Sequence, residues 1–369
     1  VSDGDDEILY GNGTDRIIIN ADYQIKNTAS SQGSLTLNLT KTDGSEHSVV
    51  IKSDGSSADP IFNLRVYRNE TEYDDLDVKY TPPLDVRSST EPTLLISGAD
   101  GETLVGGSAG DQLSGGGGND VLDGGAGNDL LAGGTGTDTA TFDRSTTFVN
   151  VDLASGTATG TETGTDALTS IENVVGTGSN DVLSGDSGAN RLDGGAGDDL
   201  IRGRGGNDVI VGGDGTDTAS YDDVSSTVTV DLAAGTVSGA DVGSDTLTGI
   251  EKVKTGAGAD KLTGGSGNDT LDGVLGDDNF WVSEGNDVIL AGGGTDTLHL
   301  SYGYKLLSLT SDSAAGSLAF VVEKSGVKHT VTVESHQTEP LSTIRIYTNS
   351  DNSQYQEYGL SVSYNAAFN

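Results

Sequence analysis

The sequence predicts an all-β fold: a parallel β-solenoid flanked by two similar small antiparallel β-sandwich domains. Three observations carry the prediction. A nine-residue phrase recurs in phase, most plainly as GGGGNDVLD, GGAGNDLLA and GGTGTDTAT from Gly115 to Thr141. The blocks built from it recur every 79 residues, as in Asp138, Asp217 and Asp296. Runs of alternating apolar and polar residues near each end follow the same order, 281 residues apart (Val1 against Val282). Period-two alternation indicates half-buried antiparallel strands.

The phrase has the form Gly-Gly-x-Gly-x-Asp-x-U-x, where U is aliphatic. Six glycine-rich residues describe a loop that reverses the chain, because glycine permits positive φ and close backbone approach. A short strand centred on U follows. One U side chain per phrase points inward, so Leu104, Leu113, Leu122, Leu131 and Ala140 form an apolar ladder in the first block. Two phrases make one turn, and loops on one edge therefore lie two phrases apart. Each Asp meets the Asp of the next turn across a gap lined by glycine carbonyls. Carboxylates and carbonyls form an all-oxygen cage suited to Ca²⁺. Mg²⁺ would keep its water, and zinc would require His or Cys ligands.

The phrase resembles the calcium-binding nonapeptide of the RTX (repeats-in-toxin) family, from Gly98 to about His299. That resemblance implies a calcium-bound parallel β-roll, export of the unfolded chain by type I secretion, and folding triggered by calcium outside the cell. Members of the family include adhesins and surface-layer or matrix proteins with tandem repeats, and secreted enzymes that carry such blocks beside a catalytic domain.

In chain order, residues 1–15 read as a partial repeat and 16–81 as a β-sandwich with strands RIII, LTLNLT, HSVVIK, NLRVYRN and LDVKY. Residues 82–97, with TPPLDVRSSTEP across their start, read as a linker, since proline resists a place in a sheet centre. Residues 98–296 read as the solenoid in three blocks. Between blocks, Val151-Asp152-Leu153 matches Val230-Asp231-Leu232, and Ile171-Glu172 matches Ile250-Glu251. These joins are expected to be wider, metal-poor coils, with a protruding loop around Thr157 to Gly164. Residues 297–369 read as a second sandwich with TLHL, SLAFVVEK, HTVTVES, TIRIYTN and LSVSY.

The candidate metal ligands are Asp111, Asp120, Asp129 and Asp138 in the first block, and Asp181, Asp199, Asp208 and Asp217 in the second. The third holds Asp260, Asp269, Asp278, Asp287 and Asp296, and Asp6 and Asp15 lie in the partial repeat. Pairing across turns gives about nine ions. Glu102 with Asp120 and Asn190 with Asp208 are the weaker pairs, one for its longer side chain and one for its missing charge. Asp6 and Asp15 lie on opposite edges; their partners would come from a preceding repeat or a neighbouring molecule. An isolated Asp in such a loop is an ordinary turn residue, and only recurrence in phase raises these above it.

Net charge is −38, which argues against nucleic acid or an anionic membrane surface as partner. With 33% hydrophobic residues and no cysteine, neither a thick core nor disulfides can hold the chain, so bound metal takes that part. No transmembrane run or signal peptide is visible, and Val1 begins in mid-motif.

Gly106-Gly107-Ser108-Ala109-Gly110 satisfies GxSxG but lacks a strand-turn-helix setting. The four histidines, His47, His299, His329 and His336, form no zinc-protease spacing. No catalytic residue is expected. Trp281 is expected to anchor packing where the solenoid meets the terminal strands, with a ligand platform as the alternative.

The leading expectation is a calcium-dependent structural segment of a secreted or cell-surface bacterial protein, an adhesin, matrix, filament or surface-layer component. Its partners are calcium and neighbouring copies of itself. The alternatives are the non-catalytic part of a secreted enzyme, or a carbohydrate- or surface-binding module using Tyr302, Tyr304, Tyr355 and Tyr358.

Overall fold

Strands of three to six residues, each centred on a U side chain, stack in parallel through the repeats. Glycine-rich turns separate most of them, which keeps each strand short. In the computed structural model, side chains are described for residues 85–310, 317–334, 343–348 and 351–358; from Asp6 to Asp85 the strands are described by backbone pairing. Every regular element among the described residues is a strand. No helix there is long and apolar enough to cross a membrane. The chain divides into two units, Val1–Ser179 and Asn180–Asn369.

In the first unit one sheet runs in parallel from Thr93–Ile96 through Gln112–Gly117 and Leu130–Thr135 to Gly164–Thr169. A second runs from Leu84–Asp85 through Thr103–Val105, Val121–Asp123 and Thr139–Thr141 to Asn173–Val175. The register is constant: Leu113 faces Leu131, and Leu104 faces Leu122. The expected ladder of Leu104, Leu113, Leu122, Leu131 and Ala140 is fully buried, each at most 1% exposed. The join is an antiparallel meander of Val149–Asp152, Thr157–Gly160 and Gly164–Thr169. The protruding loop expected at Thr157–Gly164 is therefore corrected. Thr157–Gly160 is a paired strand with Ala158 buried, because alternating Thr and Ala can serve a sheet as well as a loop.

The second unit repeats the scheme and adds to it. Val182–Ser184, Leu200–Arg202, Thr218–Ser220, Lys252–Lys254, Thr270–Asp272 and Asp287–Leu290 follow in parallel. Val327–Glu334 then pairs with Asp287–Leu290, and Ser317–Lys324 and Tyr304–Asp312 extend that sheet antiparallel. On the other sheet, Thr343–Tyr347 pairs with Thr297–Leu300 and carries Tyr355–Gly359. The two sheets of the terminal sandwich are thus continuations of the two sheets of the roll. One apolar cluster, including Leu271, Phe280, Leu298, Phe320, Val331 and Ile344, spans both. The N-terminal strands follow the same order: Asp6–Tyr10 pairs with Glu46–Ser53, and Arg16–Ile19 with Ile61–Tyr67.

Trp281 lies where roll and terminal strands meet. Its ring stacks on His299 at 4.4 Å and on Tyr347 at 5.2 Å, with the Lys261 ammonium 5.4 Å from its centroid. His299 is buried, its two ring nitrogens engaged by Tyr347 Oη and Asn279 Oδ1, and desolvation lowers its pKa to about 4. This is a packing anchor. Trp281→Leu keeps the apolar bulk and removes the stack; the expected loss is about 1 kcal/mol, read from urea unfolding in saturating calcium. A loss below a few tenths would show that the stack is incidental.

Candidate metal centre

The first glycine of each phrase is the floor on which that phrase's own carboxylate folds back. A Cβ on Gly115 would lie 2.4 Å from Asp120 Oδ2, and one on Gly194 2.2 Å from Asp199 Oδ2. The carboxylate then reaches the next turn. Its Oδ1 accepts from the backbone N–H of the Asp two phrases upstream: Asp111 N–H to Asp129 at 2.7 Å, Asp120 to Asp138 at 2.8 Å, Asp181 to Asp199 at 2.7 Å. The same bond links Asp199 to Asp217, Asp260 to Asp278, Asp269 to Asp287 and Asp278 to Asp296. The weaker pairs keep it too, from Glu102 to Asp120 and from Asn190 to Asp208.

The second carboxylate oxygens divide the set. Oδ2 of Asp120, Asp129, Asp138, Asp199, Asp208, Asp217, Asp260 and Asp278 is buried with no hydrogen-bond partner. Two other carboxylates, Asp111 and Asp287, are satisfied on both oxygens, and Asp269 is satisfied on Oδ2. Asp111 accepts from Thr93 and Gly107 N–H, Asp269 Oδ2 from Gly265 N–H, and Asp287 from Asp269 N–H and the Ser283 hydroxyl. Ser283 stands where a phrase would have a glycine, and its hydroxyl fills the place. Asp181 and Asp296 are also buried. Asp15 and the side chain of Asp6 lie outside the described residues.

Burial pushes up the carboxyls of Asp111, Asp120, Asp129, Asp199, Asp208, Asp217, Asp269, Asp278 and Asp287, and like charges push most of these further. Asp129 reaches about 8, with Asp166, Asp111 and Asp123 as neighbours, and Asp278 about 8, with Asp296, Asp260 and Asp277. Asp208 rises to about 7, beside Asp245 and Asp186. Asp120, Asp199 and Asp269 rise to about 6 from the same two causes. A buried, unpartnered carboxylate oxygen costs several kcal/mol unless a proton or cation meets it. A row of them in register fits a row of cations. Among the described residues no three His, Cys, Asp or Glu gather at one point, so each gap offers at most two carboxylates. Backbone carbonyls and water would complete a donor set of oxygen alone that fits Ca²⁺. When bound, calcium supplies the positive charge between facing turns; the chain supplies the spacing.

Two features were missed in the sequence. One is a second ladder in the opposite sense, from the residue just before each Asp. Asn119 Oδ1 accepts from Thr137 N–H, Asn180 from Asp198, Asn268 from Asn286, and Asp198 and Asp277 act likewise. The recurrent Asn-Asp pair in the phrase was its visible signal. The other lies in the joins, expected to be wider, metal-poor coils: their Asp166, Glu172, Asp245 and Glu251 lie in the same hydrogen-bond ladder as the motif acids.

The model of the RTX calcium-binding nonapeptide repeat (4 copies) matches residues 105–140, 168–201, 184–219, 245–280 and 272–301. No curated relative matches the chain. Among solved structures it is similar to the crystal structure of extracellular lipase LipA from Serratia marcescens. Identity is 16% and the TM-score 0.20, with 72% of this chain and 41% of that one covered. The chain thus spans less than half of that lipase. The nonapeptides, their parallel stack and the matched segments agree: residues 105–140, 168–219 and 245–301 are RTX calcium-binding nonapeptide repeats.

Proposed function

We propose that this chain is a calcium-dependent structural segment of a secreted or cell-surface bacterial protein: an adhesin, matrix, filament or surface-layer component. It leaves the cell unfolded by type I secretion and folds on meeting calcium outside. The observation that carries this reading is the row of buried, unpartnered Asp oxygens. Sites built from two turns do not exist in the unfolded chain, so binding and folding are one event. The reading assigns no catalysis to the chain, and takes residues 16–81 and 297–369 as similar sandwich modules on either side of the 98–296 repeats.

The duplicated terminal strands support association with neighbouring copies. Asp287–Leu290 is paired on both sides, by Thr270–Asp272 and Val327–Glu334. Among the described residues its counterpart Asp6–Tyr10 is paired by Glu46–Ser53 alone. Arg16–Ile19 likewise has one partner where Thr297–Leu300 has two. An edge of this kind accepts a further strand, from a preceding repeat of the same chain or from a neighbouring copy.

The test is a calcium titration of the chain after chelation, following strand content by circular dichroism and mass by ultracentrifugation. Strand content should rise cooperatively with calcium and then stay constant while mass increases with concentration. Asp120→Asn should bind one ion fewer and need more calcium for half-folding, by roughly tenfold, as a buried ion loses one of its two charges. An unchanged midpoint and unchanged stoichiometry would remove the basis of the reading.

A further inference from the structure

The first two nonapeptide blocks end at a hairpin, but their ladders do not. Asp129 N–H donates to Asp166 Oδ1 at 2.9 Å, and Asp138 N–H to Glu172 Oε2 at 2.8 Å. In the second block Asp208 N–H donates to Asp245 Oδ1 at 2.9 Å, and Asp217 N–H to Glu251 Oε2 at 3.0 Å. These bonds have the form and length of those between motif acids.

The hairpin acids are reached through a truncated phrase. Gly164-Thr165-Asp166-Ala167-Leu168-Thr169 and Gly243-Ser244-Asp245-Thr246-Leu247-Thr248 reproduce its last six positions, Gly-x-Asp-x-U-x. Gly164 has φ +86°, and a Cβ there would fall 1.9 Å from Gly127 O; at Gly243, with φ +74°, it would fall 1.7 Å from Gly206 O. Thr165 N–H donates to Asn128 Oδ1 and Ser244 N–H to Asn207 Oδ1, so the second ladder runs on as well. Leu168 and Leu247 are buried in the apolar ladder. Only the leading Gly-Gly-x is replaced, by Thr161-Glu162-Thr163 and Ala240-Asp241-Val242. Facing these acids are Oδ2 of Asp129, Asp138, Asp208 and Asp217, on residues at most 3% exposed and without a hydrogen-bond partner.

We propose that each of these blocks closes with two hybrid calcium sites. In each, one carboxylate comes from the last full phrases and the other from the join: Asp129 with Asp166, Asp138 with Glu172, Asp208 with Asp245, and Asp217 with Glu251. The inference rests on the calcium reading above and extends it to residues outside the nonapeptide.

The two blocks are not equal. Tyr221 Oη donates to Asp245 Oδ2 at 3.0 Å in a buried setting. The residue 79 positions earlier is Phe142, buried and without a hydroxyl to offer Asp166. A phenol on the carboxylate competes with a cation for the same electron density. The Asp208–Asp245 site is therefore the weaker of the matched pair, and Tyr221 sets the difference.

The experiment is calcium stoichiometry and affinity of the full chain, by equilibrium dialysis with isothermal titration, on four variants. Asp166→Asn and Glu172→Gln should each bind one ion fewer while keeping the strand spectrum in saturating calcium. Tyr221→Phe deletes no ligand; it should keep the count and tighten the Asp208–Asp245 site by roughly three- to tenfold, the worth of one released hydrogen bond. Asp120→Asn, inside the nonapeptide, is the control. If it loses an ion while Asp166→Asn and Glu172→Gln keep the full count, the hybrid sites fall and the calcium reading stands. If all three keep it, the calcium reading itself fails. Should Asp166→Asn not fold, Tyr221→Phe decides: unchanged affinities overturn the assignment of Asp245.

Discussion

Stripped of calcium by excess EGTA, the chain is expected to be expanded at pH 8 and to regain strand content and compactness as the pH falls toward 5. The cause is the set of buried carboxyls whose pKa values rise from the ordinary 3.8 to about 6 for Asp120, Asp199 and Asp269, and to about 8 for Asp129 and Asp278. A raised value means that the folded chain holds protons which the unfolded chain releases. Their contribution to stability is present below the ordinary carboxylate pKa and is lost as the pH climbs through the raised values, from about 4 to about 8. Protons and calcium thus neutralise the same oxygens. With calcium present the trend turns over, because the ions must displace those protons, and calcium affinity should strengthen with pH across the same window. Small-angle scattering of the EGTA-treated chain from pH 5 to 8 reads the first effect. A radius that is compact at pH 8, or that grows on acidification toward 5, would contradict it.

Gly136→Ala is expected to be the most damaging single methyl in the first block. Gly136 sits at φ +141°, and a Cβ there would lie 1.7 Å from the carbonyl oxygen of Gly118. Arg204 and Val274 show that side chains are accepted at φ 68° and 62°, inside the small left-handed well. Gly136 lies outside that well, and the atom in the way is backbone of the adjacent turn. Strain and overpacking together cost roughly 3–5 kcal/mol. The damage should also reach the metal, since the displaced loop holds Thr137 N–H on Asn119 Oδ1 and leads directly into Asp138. Gly178→Ala is the matched control, with nothing within 4 Å of its Cβ, and should change stability by less than about 0.5 kcal/mol. Urea unfolding at fixed calcium compares the two; equal midpoints would show that close approach between turns does not limit the fold.

The stacked arrangement was legible because the phrase is periodic and every part of it has one task. U side chains recur where one ladder must be filled, and Asp recurs where turns must face each other. What escaped was the chemistry of residues whose type is common in any turn. Asn119 and Asn128 look like generic loop residues, yet each caps the backbone of the next turn. Asp166 and Asp245 were hidden because their phrase lacks its opening glycines, and the eye keys on Gly-Gly. Ser283 stands at a glycine position of the phrase, and its hydroxyl occupies an oxygen of Asp287 that the corresponding carboxylates of neighbouring phrases leave open. At the ends, alternation revealed the strands but could not reveal which roll strand they would join. That choice depends on Val331 meeting Asp287 and Ile344 meeting Leu298, residues far apart in the sequence.

The central claim is that cations occupy the gaps beside Oδ2 of Asp120, Asp129, Asp138, Asp199, Asp208, Asp217, Asp260 and Asp278. Long-wavelength anomalous diffraction from crystals grown in calcium would read it directly. The account predicts a peak in each of those gaps, shared between carboxylates of successive turns and glycine carbonyls. An ordered roll with protons or water at those oxygens and no anomalous signal would contradict it.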